Sequence, residues 1–422
     1  MVVIGGGPAG LMAAGQAARH GAEVLLLEKK RRPARKLRIT GKGRCNLTNT
    51  APLNEFIASY GNSGRFLRSA YSRFFSSELL DFFHSLGIET AIERGGRVFP
   101  SSNEAQDIVD ALVSWARKNG VEIRTNAAVR RIKTGRDHRL SVIVVDPRGQ
   151  NPVYELTADA VIVTPGGSSY PGTGSTGDGY RFAADLGHTI IPIRPALVPL
   201  RTAGDTAQRL QGLSLRNVEV SVLVNGKVEQ QSFGEMLFTH YGISGPIILT
   251  MSLYMVDSLR ENKQVSISID LKPALDPKKL DKRIRRDLDE HGRRSFRRIL
   301  EGLLPRKLIP VCIDQLKIRA DKPANQITSE ERDRLLEWLK NFRLDVTEPM
   351  PIELALVTAG GIQLKEINPR TMESKLIQNL YFAGEVLDLD GDTGGYNLQA
   401  AFSTGWIAGN AAAAKLLDLP AP

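Results

Sequence analysis

The chain has 422 residues, 42% of them hydrophobic and 24% charged, a balance ordinary for a soluble globular protein. That length exceeds one ordinary core and argues for roughly two to three domains. No run approaches the ~18–20 uninterrupted apolar residues that span a bilayer, and the only cysteines, Cys45 and Cys312, exclude a disulfide framework and fit a reducing cytoplasm. A first strand starts at residue 2, so any basic leader would have to precede it.

Residues 2–10 read VVIGGGPAG, an apolar strand that runs into a Gly-x-Gly-x-x-Gly turn. Val2, Val3 and Ile4 are what a central parallel strand requires. Gly5 permits the tight turn, Gly7 lets a pyrophosphate approach the backbone, and Gly10 brings the next helix close to the strand. That helix is expected over 9–20 and stops at Gly21, and a second strand over 23–27 delivers Glu28. The carboxylate would accept hydrogen bonds from both ribose hydroxyls and repel a ribose phosphate. The adenosine of FAD or NAD therefore suits this site better than that of NADP.

Beyond Glu28 comes a basic, glycine-containing loop, 29–49, and then helical periodicity over 66–86. An amphipathic helix is expected over 101–118, with Ile108, Ala111, Leu112 and Trp115 on one side. Short strands follow at 121–124 and 128–132, and 140–146 and 153–156 flank a turn at 147–149 as a hairpin. A further apolar strand, 160–164, leads into PGGSSYPGTGSTGDG. From about Pro192 the character changes. Strands 218–224 and 227–233 are joined by Asn225–Gly226, a strong hairpin signal, and 265–271 alternates as another strand. Residues 277–342 read as helical and charged, and the apolar strands and glycines return only after Pro351. The fold expected is α/β: a discontinuous Rossmann-like domain (1–192 with 350–422) that receives an antiparallel β unit (193–276) and a small helical subdomain (277–349).

Net charge is +10, concentrated between Lys278 and Lys307, where 12 Lys and Arg face 5 Asp and Glu. Such a run is usually a solvated helical face. Its functional reading is a footprint for RNA, DNA or an acidic partner. Phe296 alone interleaves with it, which argues against stacking on single-stranded bases.

Three more glycine-rich segments bear on a cofactor. TGKGRCNLTN, 40–49, would expose backbone N–H groups to an anion or a flat ring, with Arg44 able to fork onto a phosphate or a flavin carbonyl. Cys45 within it reads first as a small buried residue, since no second cysteine lies nearby. VIVTPGG, 161–167, again brings glycines to a strand's carboxyl end. In LYFAGEVLDLDGDTGGYNLQAAFSTG, 380–405, a strand ends at Gly384–Glu385 and a loop passes Asp388 to Gly394–Gly395. A helix of small residues starts near Tyr396. Its N-terminus would stabilise an anionic reduced flavin, and Glu385 would be free for ribityl hydroxyls.

These segments, with RVFPSSNEAQDI, STGDGY, FTHYGISGP and INPRTMESKLI, resemble the aminoacetone oxidase family of FAD-dependent oxidoreductases, which includes dehydro-bile-acid reductases. The likeness covers nearly the whole chain, although the family pattern usually has Gly where Lys42 sits. It implies non-covalent FAD held at Gly5, Gly7, Pro8, Ala9, Gly10, Glu28 and Lys29, and at Thr40, Gly41, Gly43, Arg44, Cys45 and Asn46. The later positions would be Val129, Thr164, Gly166, Gly167, Gly384, Glu385, Asp388, Gly395, Tyr396, Asn397 and Leu398. No second Gly-x-Gly-x-x-Gly follows a later strand, so an NAD(P)H donor would have to enter the substrate cavity directly.

Acid–base candidates are His240 and Tyr241, beside the Gly-Ile-Ser-Gly turn, and Tyr170 and Tyr396, beside the glycine loops. Residues 193–349 are expected to cap the flavin ring. No metal-ligand spacing or serine nucleophile elbow is visible. The expectation is an oxidoreductase for a small organic molecule, passing hydride or electrons between it, the flavin and NAD(P)H or oxygen. A flavoprotein that binds or modifies RNA is the alternative.

Overall fold

Three β-branched residues open the chain because a strand covered on both faces has no solvent side to reward alternation. In the computed structural model, which describes residues 1–149 and 152–420, β1 (Val2–Ile4) is buried along its whole length. Helix α1 (Pro8–Arg19) follows the glycine turn, with Pro8 at its start, where a missing N–H costs nothing. Strand β2 (Leu25–Glu28) pairs parallel with β1 in the register Val2↔Leu25. Helix α2 (Ala105–Lys118) buries Ile108, Val109 and Leu112. It leads to β3 (Glu122–Thr125), parallel to β2.

The run 66–86 is not one helix. A 3₁₀ turn (Gly61–Leu67), a short helix (Arg68–Tyr71) and a longer one (Ser76–Ser85) replace it. The break falls where Phe74 and Phe75 join an aromatic cluster and Phe75 turns extended, its N–H capped by Glu78 at 2.9 Å. Packing there outweighs helical periodicity. Strands Ala128–Thr134, Leu140–Val145 and Tyr154–Ala158 form a small antiparallel sheet, and the turn read at 147–149 runs on into residues outside those described. Strand β4 (Val161–Val163) then pairs parallel with β1 on the side opposite β2.

The chain divides into two compact units, Met1–Pro195 with Ile352–Pro422, and Ala196–Pro351. In the second unit β5 (Leu200–Thr202), β6 (Ser214–Val224), β7 (Lys227–Phe238) and β8 (Gly242–Ser244) precede helix α3 (Pro246–Arg260) and β9 (Val265–Asp270). Asn225 and Gly226 both have positive φ, the geometry of the tight hairpin turn that joins β6 to β7. Helices α4 (Pro277–Glu290), α5 (Phe296–Leu300), α6 (Leu308–Leu316) and α7 (Ser329–Lys340) come next.

The unit closes with β10 (Phe342–Pro349), which pairs with both β9 and β5. This completes an antiparallel barrel of order β5-β8-β7-β6-β9-β10. The helical stretch expected over 277–349 therefore contains a barrel strand, and its helices lie between two neighbouring strands. Phe342, Leu344 and Val346 are buried and alternate with exposed Arg343, Asp345 and Thr347. Closure leaves no strand edge to pair with another chain.

Back in the first unit, β11 (Leu380–Phe382) pairs parallel with β4 and completes a five-stranded sheet of order β11-β4-β1-β2-β3. Strand order reverses at β1, and in such sheets the carboxyl ends beside the reversal bind ligands. The last helix, α8 (Tyr396–Leu416), is built of small residues because it lies directly against α1. A Cβ on Gly405 would come within 2.3 Å of the Ala9 carbonyl oxygen. No described helix is long and apolar enough to cross a membrane.

Candidate cofactor site

A cleft opens at the carboxyl ends of β1, β2, β4 and β11, inside the first unit. Its wall begins with the glycine turn, through Gly5, Gly7, Pro8 and Ala9. A Cβ on Gly7 would meet nothing within 4 Å, whereas one on Gly10 would sit 1.9 Å from the Gly5 carbonyl oxygen. The turn is thus tight against the protein and open toward the cleft, the shape a pyrophosphate needs. Thr164 locks it from β4, donating through Oγ1 to the Ile4 carbonyl at 2.9 Å.

Glu28 ends β2 at the cleft wall. Its Oε2 accepts from the Gly6 N–H at 2.9 Å and its Oε1 from the Lys30 N–H at 2.7 Å. Burial raises the carboxyl above its ordinary range, with the two backbone bonds opposing that shift. Each oxygen keeps a lone pair for a ribose hydroxyl. Lys29 lines the cleft too, and its ammonium pairs with Asp178 at 2.6 Å.

The opposite wall is the start of α8, where Asn397, Leu398, Ala400, Ala401 and Thr404 line the cleft. The first-turn N–H groups of a helix have no intrahelical partner and carry partial positive charge. Asn397 is fixed there by a pair of bonds to the Gly391 backbone, at 2.9 and 2.7 Å. Val129, Gly166, Gly384 and Thr40 also reach the cleft.

Glu385 lines the cleft but is not free, contrary to expectation. Lys36 Nζ lies 2.7 Å from its Oε2, and Oε1 accepts from the Thr358 N–H at 3.0 Å and from Ser169 Oγ at 3.1 Å. Burial works to raise this carboxyl, but the Lys36 ammonium and the bonds from Thr358 and Ser169 together outweigh it and the net shift is downward. A carboxylate this far from water needs a cation. Lys36 itself escaped sequence reading because it sits among Arg31, Arg32, Arg35 and Arg38, where one cation looks like any other.

The 40–49 loop behaves differently from its reading. Arg44 forks onto Glu93 at 2.6 Å, bonds Asn103, and lies 4.1 Å over the Phe99 ring. It does not reach the cleft, and neither do Gly41, Gly43, Cys45 or Asn46. A guanidinium prefers a carboxylate and a ring face that the neighbouring antiparallel strands Thr90–Glu93 and Arg97–Pro100 provide. Cys45 is fully buried and its thiol is pushed up to about 12 by burial, so it stays protonated. Asn46 Oδ1 is buried without a hydrogen-bond partner.

Gly10, Gly167, Asp388, Gly395 and Tyr396 lie behind the cleft lining rather than in it. Tyr396 packs edge-on to Phe56 at 4.6 Å, and its carbonyl accepts from the Tyr60 hydroxyl. Tyr170 takes a left-handed backbone that starts the turn Pro171–Thr173, and it too is outside the lining. His240 and Tyr241 sit in the second unit on the turn between β7 and β8, ring centroids 4.7 Å apart, with His240 exposed. One titratable group was not anticipated. Burial raises Asp392, on the loop before α8, to about 6. No metal-binding cluster is found among the described residues.

The turn open at Gly7 and the spare lone pairs of Glu28 fit FAD. Comparison with known proteins agrees with that geometry. The chain is 34% identical over 415 residues to a 3-dehydro-bile acid delta(4,6)-reductase of Clostridium scindens, covering 98% of each chain. It is 31% identical over 406 residues to a ribosomal RNA dihydrouridine synthase of Escherichia coli, covering 96% of each. Among solved structures, a 3-ketosteroid-delta4-(5alpha)-dehydrogenase from Rhodococcus jostii shares the fold, with a TM-score of 0.52 at 16% identity over 98% of this chain and 96% of that one. The model of the HI0933-like protein Rossmann domain matches residues 1–411. The chain belongs to the HI0933-like Rossmann-domain family.

Proposed function

We propose that this FAD-dependent oxidoreductase reduces a carbon–carbon double bond conjugated to a carbonyl, with a nicotinamide as the electron donor. The observation that carries the reading is the cleft walled by the Gly5–Ala9 turn, Glu28 and the first turn of α8. Two relatives bear names for reactions that share this chemistry. A 3-oxo-4,6-diene and the uracil C5=C6 bond are both alkenes polarised by a carbonyl. Bound in the cleft and reduced by the donor, FAD would supply the hydride that the β-carbon needs, the α-carbon taking a proton.

The chain's own residues prepare that step. Gly7 leaves backbone N–H groups accessible to the pyrophosphate, and Glu28 holds the ribose. The α8 N-terminus offers unpaired N–H groups where negative charge gathers on a carbonyl oxygen. Lys36 keeps Glu385 ionised as a fixed polar wall. His240 remains the candidate acid. His240→Ala is expected to lower turnover with FAD content unchanged, and unaltered turnover removes it from the mechanism.

The first reading of the substrate is a small enone or dienone. The second is uracil within RNA, favoured by the basic stretch between Lys278 and Lys307. The test is anaerobic reduction of the yellow protein by NADH or NADPH, followed by a 3-oxo-4,6-diene steroid acid, a uridine-containing RNA, or oxygen. Rapid return of the oxidised flavin spectrum with either alkene supports the proposal. Return with oxygen alone would make the chain an oxidase and overturn it.

A further inference from the structure

We propose that α4 and α5, with the segment between them, form a docking surface for the phosphodiester backbone of RNA. This deepens the reading of RNA as substrate, yet it rests on a different part of the chain from the flavin cleft. Helix α4 buries Leu280, Ile284 and Leu288 along one side, which turns its remaining faces and their charges outward.

Three of the five carboxylates between Lys278 and Lys307 are already paired. Asp281 pairs with Arg285 at 2.8 Å and Arg332 at 2.9 Å, Asp287 with Arg286 at 3.1 Å, and Glu301 with Arg298 at 3.0 Å. What stays unpaired among the described residues is mainly cationic. Lys278, Lys282, Arg293, Arg294, Arg297 and Arg306 are exposed and form no ion pair. Asp289 and Glu290 are the exposed carboxylates that oppose them.

Where α4 ends and α5 begins, Arg283, His291, Arg294 and Arg298 converge on one hollow that Asp287 and Glu301 also line. Arg283 is held in place by its bond to the Gly302 carbonyl, at 3.1 Å. Within it Arg283 pairs with Asp287 and Arg298 with Glu301, which leaves Arg294 as the guanidinium open to a phosphate oxygen.

The surroundings favour RNA over a membrane. A basic helix that lies on lipid needs exposed apolar side chains beside its cations, and none of the large exposed hydrophobic residues falls between 277 and 316. Phe296 is wholly buried, so no ring is offered to an unstacked base. The surface therefore reads backbone charge without reading sequence.

The test is fluorescence anisotropy of the FAD-loaded full chain with a labelled RNA hairpin. The comparison is with the double variant Arg294→Glu, Arg297→Glu, whose melting temperature and flavin spectrum report folding. Wild type should bind at ~50 mM salt and weaken steeply toward ~200 mM. The variant should lose at least about 10-fold in affinity and about 2 units of salt slope, roughly one per lost phosphate contact, with nicotinamide oxidation unchanged. Equal binding by the folded variant, no binding by wild type at ~50 mM salt, or tighter binding to phosphatidylglycerol vesicles or polyglutamate than to RNA would overturn the surface. If the variant does not fold, Lys282→Ala with Arg297→Ala replaces it under the same criterion. Variant-sensitive binding without flavin reoxidation by RNA sustains the surface and removes uracil as substrate. Reoxidation by RNA at equal rates in both proteins leaves uracil as substrate and overturns the surface.

Discussion

The Gly5–Gly10 turn and the Thr40–Asn49 loop are both glycine-rich, and both belong to the unit that holds the cleft. The turn walls the cleft with its own backbone, while the loop contributes only Thr40 and sends Arg44 to Glu93 and Phe99. The difference lies in what each asks of the rest of the fold. The turn is bound to the end of β1 by backbone geometry, so its role travels with a short local sequence. The loop's role depends on which polar and aromatic partners come within reach, and those lie about fifty residues away in sequence. Glycine alone does not make a cradle.

Substitutions on the two sides of this contrast should differ in scale. Gly10→Ala places a methyl against the Gly5 carbonyl oxygen, and overpacking of that severity costs about 3 kcal/mol. The protein should purify without yellow colour and melt at lower temperature; a variant that keeps full FAD would show the turn to be more pliable than its geometry. Lys36→Met leaves Glu385 without its cation and should cost on the order of 3 kcal/mol, read by denaturant unfolding. If stability held, the pair would be ornamental. Glu28→Ala removes two charge-assisted backbone bonds, each worth about 1.5–3 kcal/mol, and should raise the FAD dissociation constant at least about 10-fold in a fluorescence titration.

On the loop side, Arg44→Ala should leave FAD content unchanged and cost about 1 kcal/mol at most, since its partners are about one-third exposed. Loss of flavin would return Arg44 to the cofactor. Cys45, with its thiol held near 12, should resist iodoacetamide at pH 8 until the protein unfolds, as mass spectrometry would show.

A smaller effect tests the frame around the cleft. His188 is buried between Glu366, 3.0 Å from Nδ1, and Ser374, 2.9 Å from Nε2. Burial lowers its pKa below the ordinary 6.5 despite the neighbouring carboxylate. The unfolded chain therefore binds the proton more readily. The contribution is complete above about pH 6.5 and is lost as pH falls from there toward the lower folded value. The melting temperature should drop across that window, and His188→Gln should flatten the drop.

Much of the cleft was legible because strand, turn, helix, strand and acid follow one another within thirty residues. The Asn225–Gly226 hairpin was legible for the same reason: two left-handed residues announce the turn locally. Strand β10 was not: Phe342, Leu344 and Val346 do alternate with charged or polar residues, but they follow directly on a charged helical stretch and the strand's two partners lie far back in the chain. Lys36 was hidden among other cations until Glu385 arrived from near the far end of the sequence.

The residues by themselves determined the Rossmann strand and turn, the carboxylate that ends β2, the small-residue helix that closes against α1, and the concentration of charge at 278–307. Each of these depends on backbone freedom or side-chain size within a short window. Tertiary structure alone decided that the β strands close into a barrel, that Glu385 is paired rather than free, and that Arg44 faces away from the cleft. Those outcomes turn on which distant groups meet in a low-dielectric interior, where an unpaired charge or strand edge is too costly to leave.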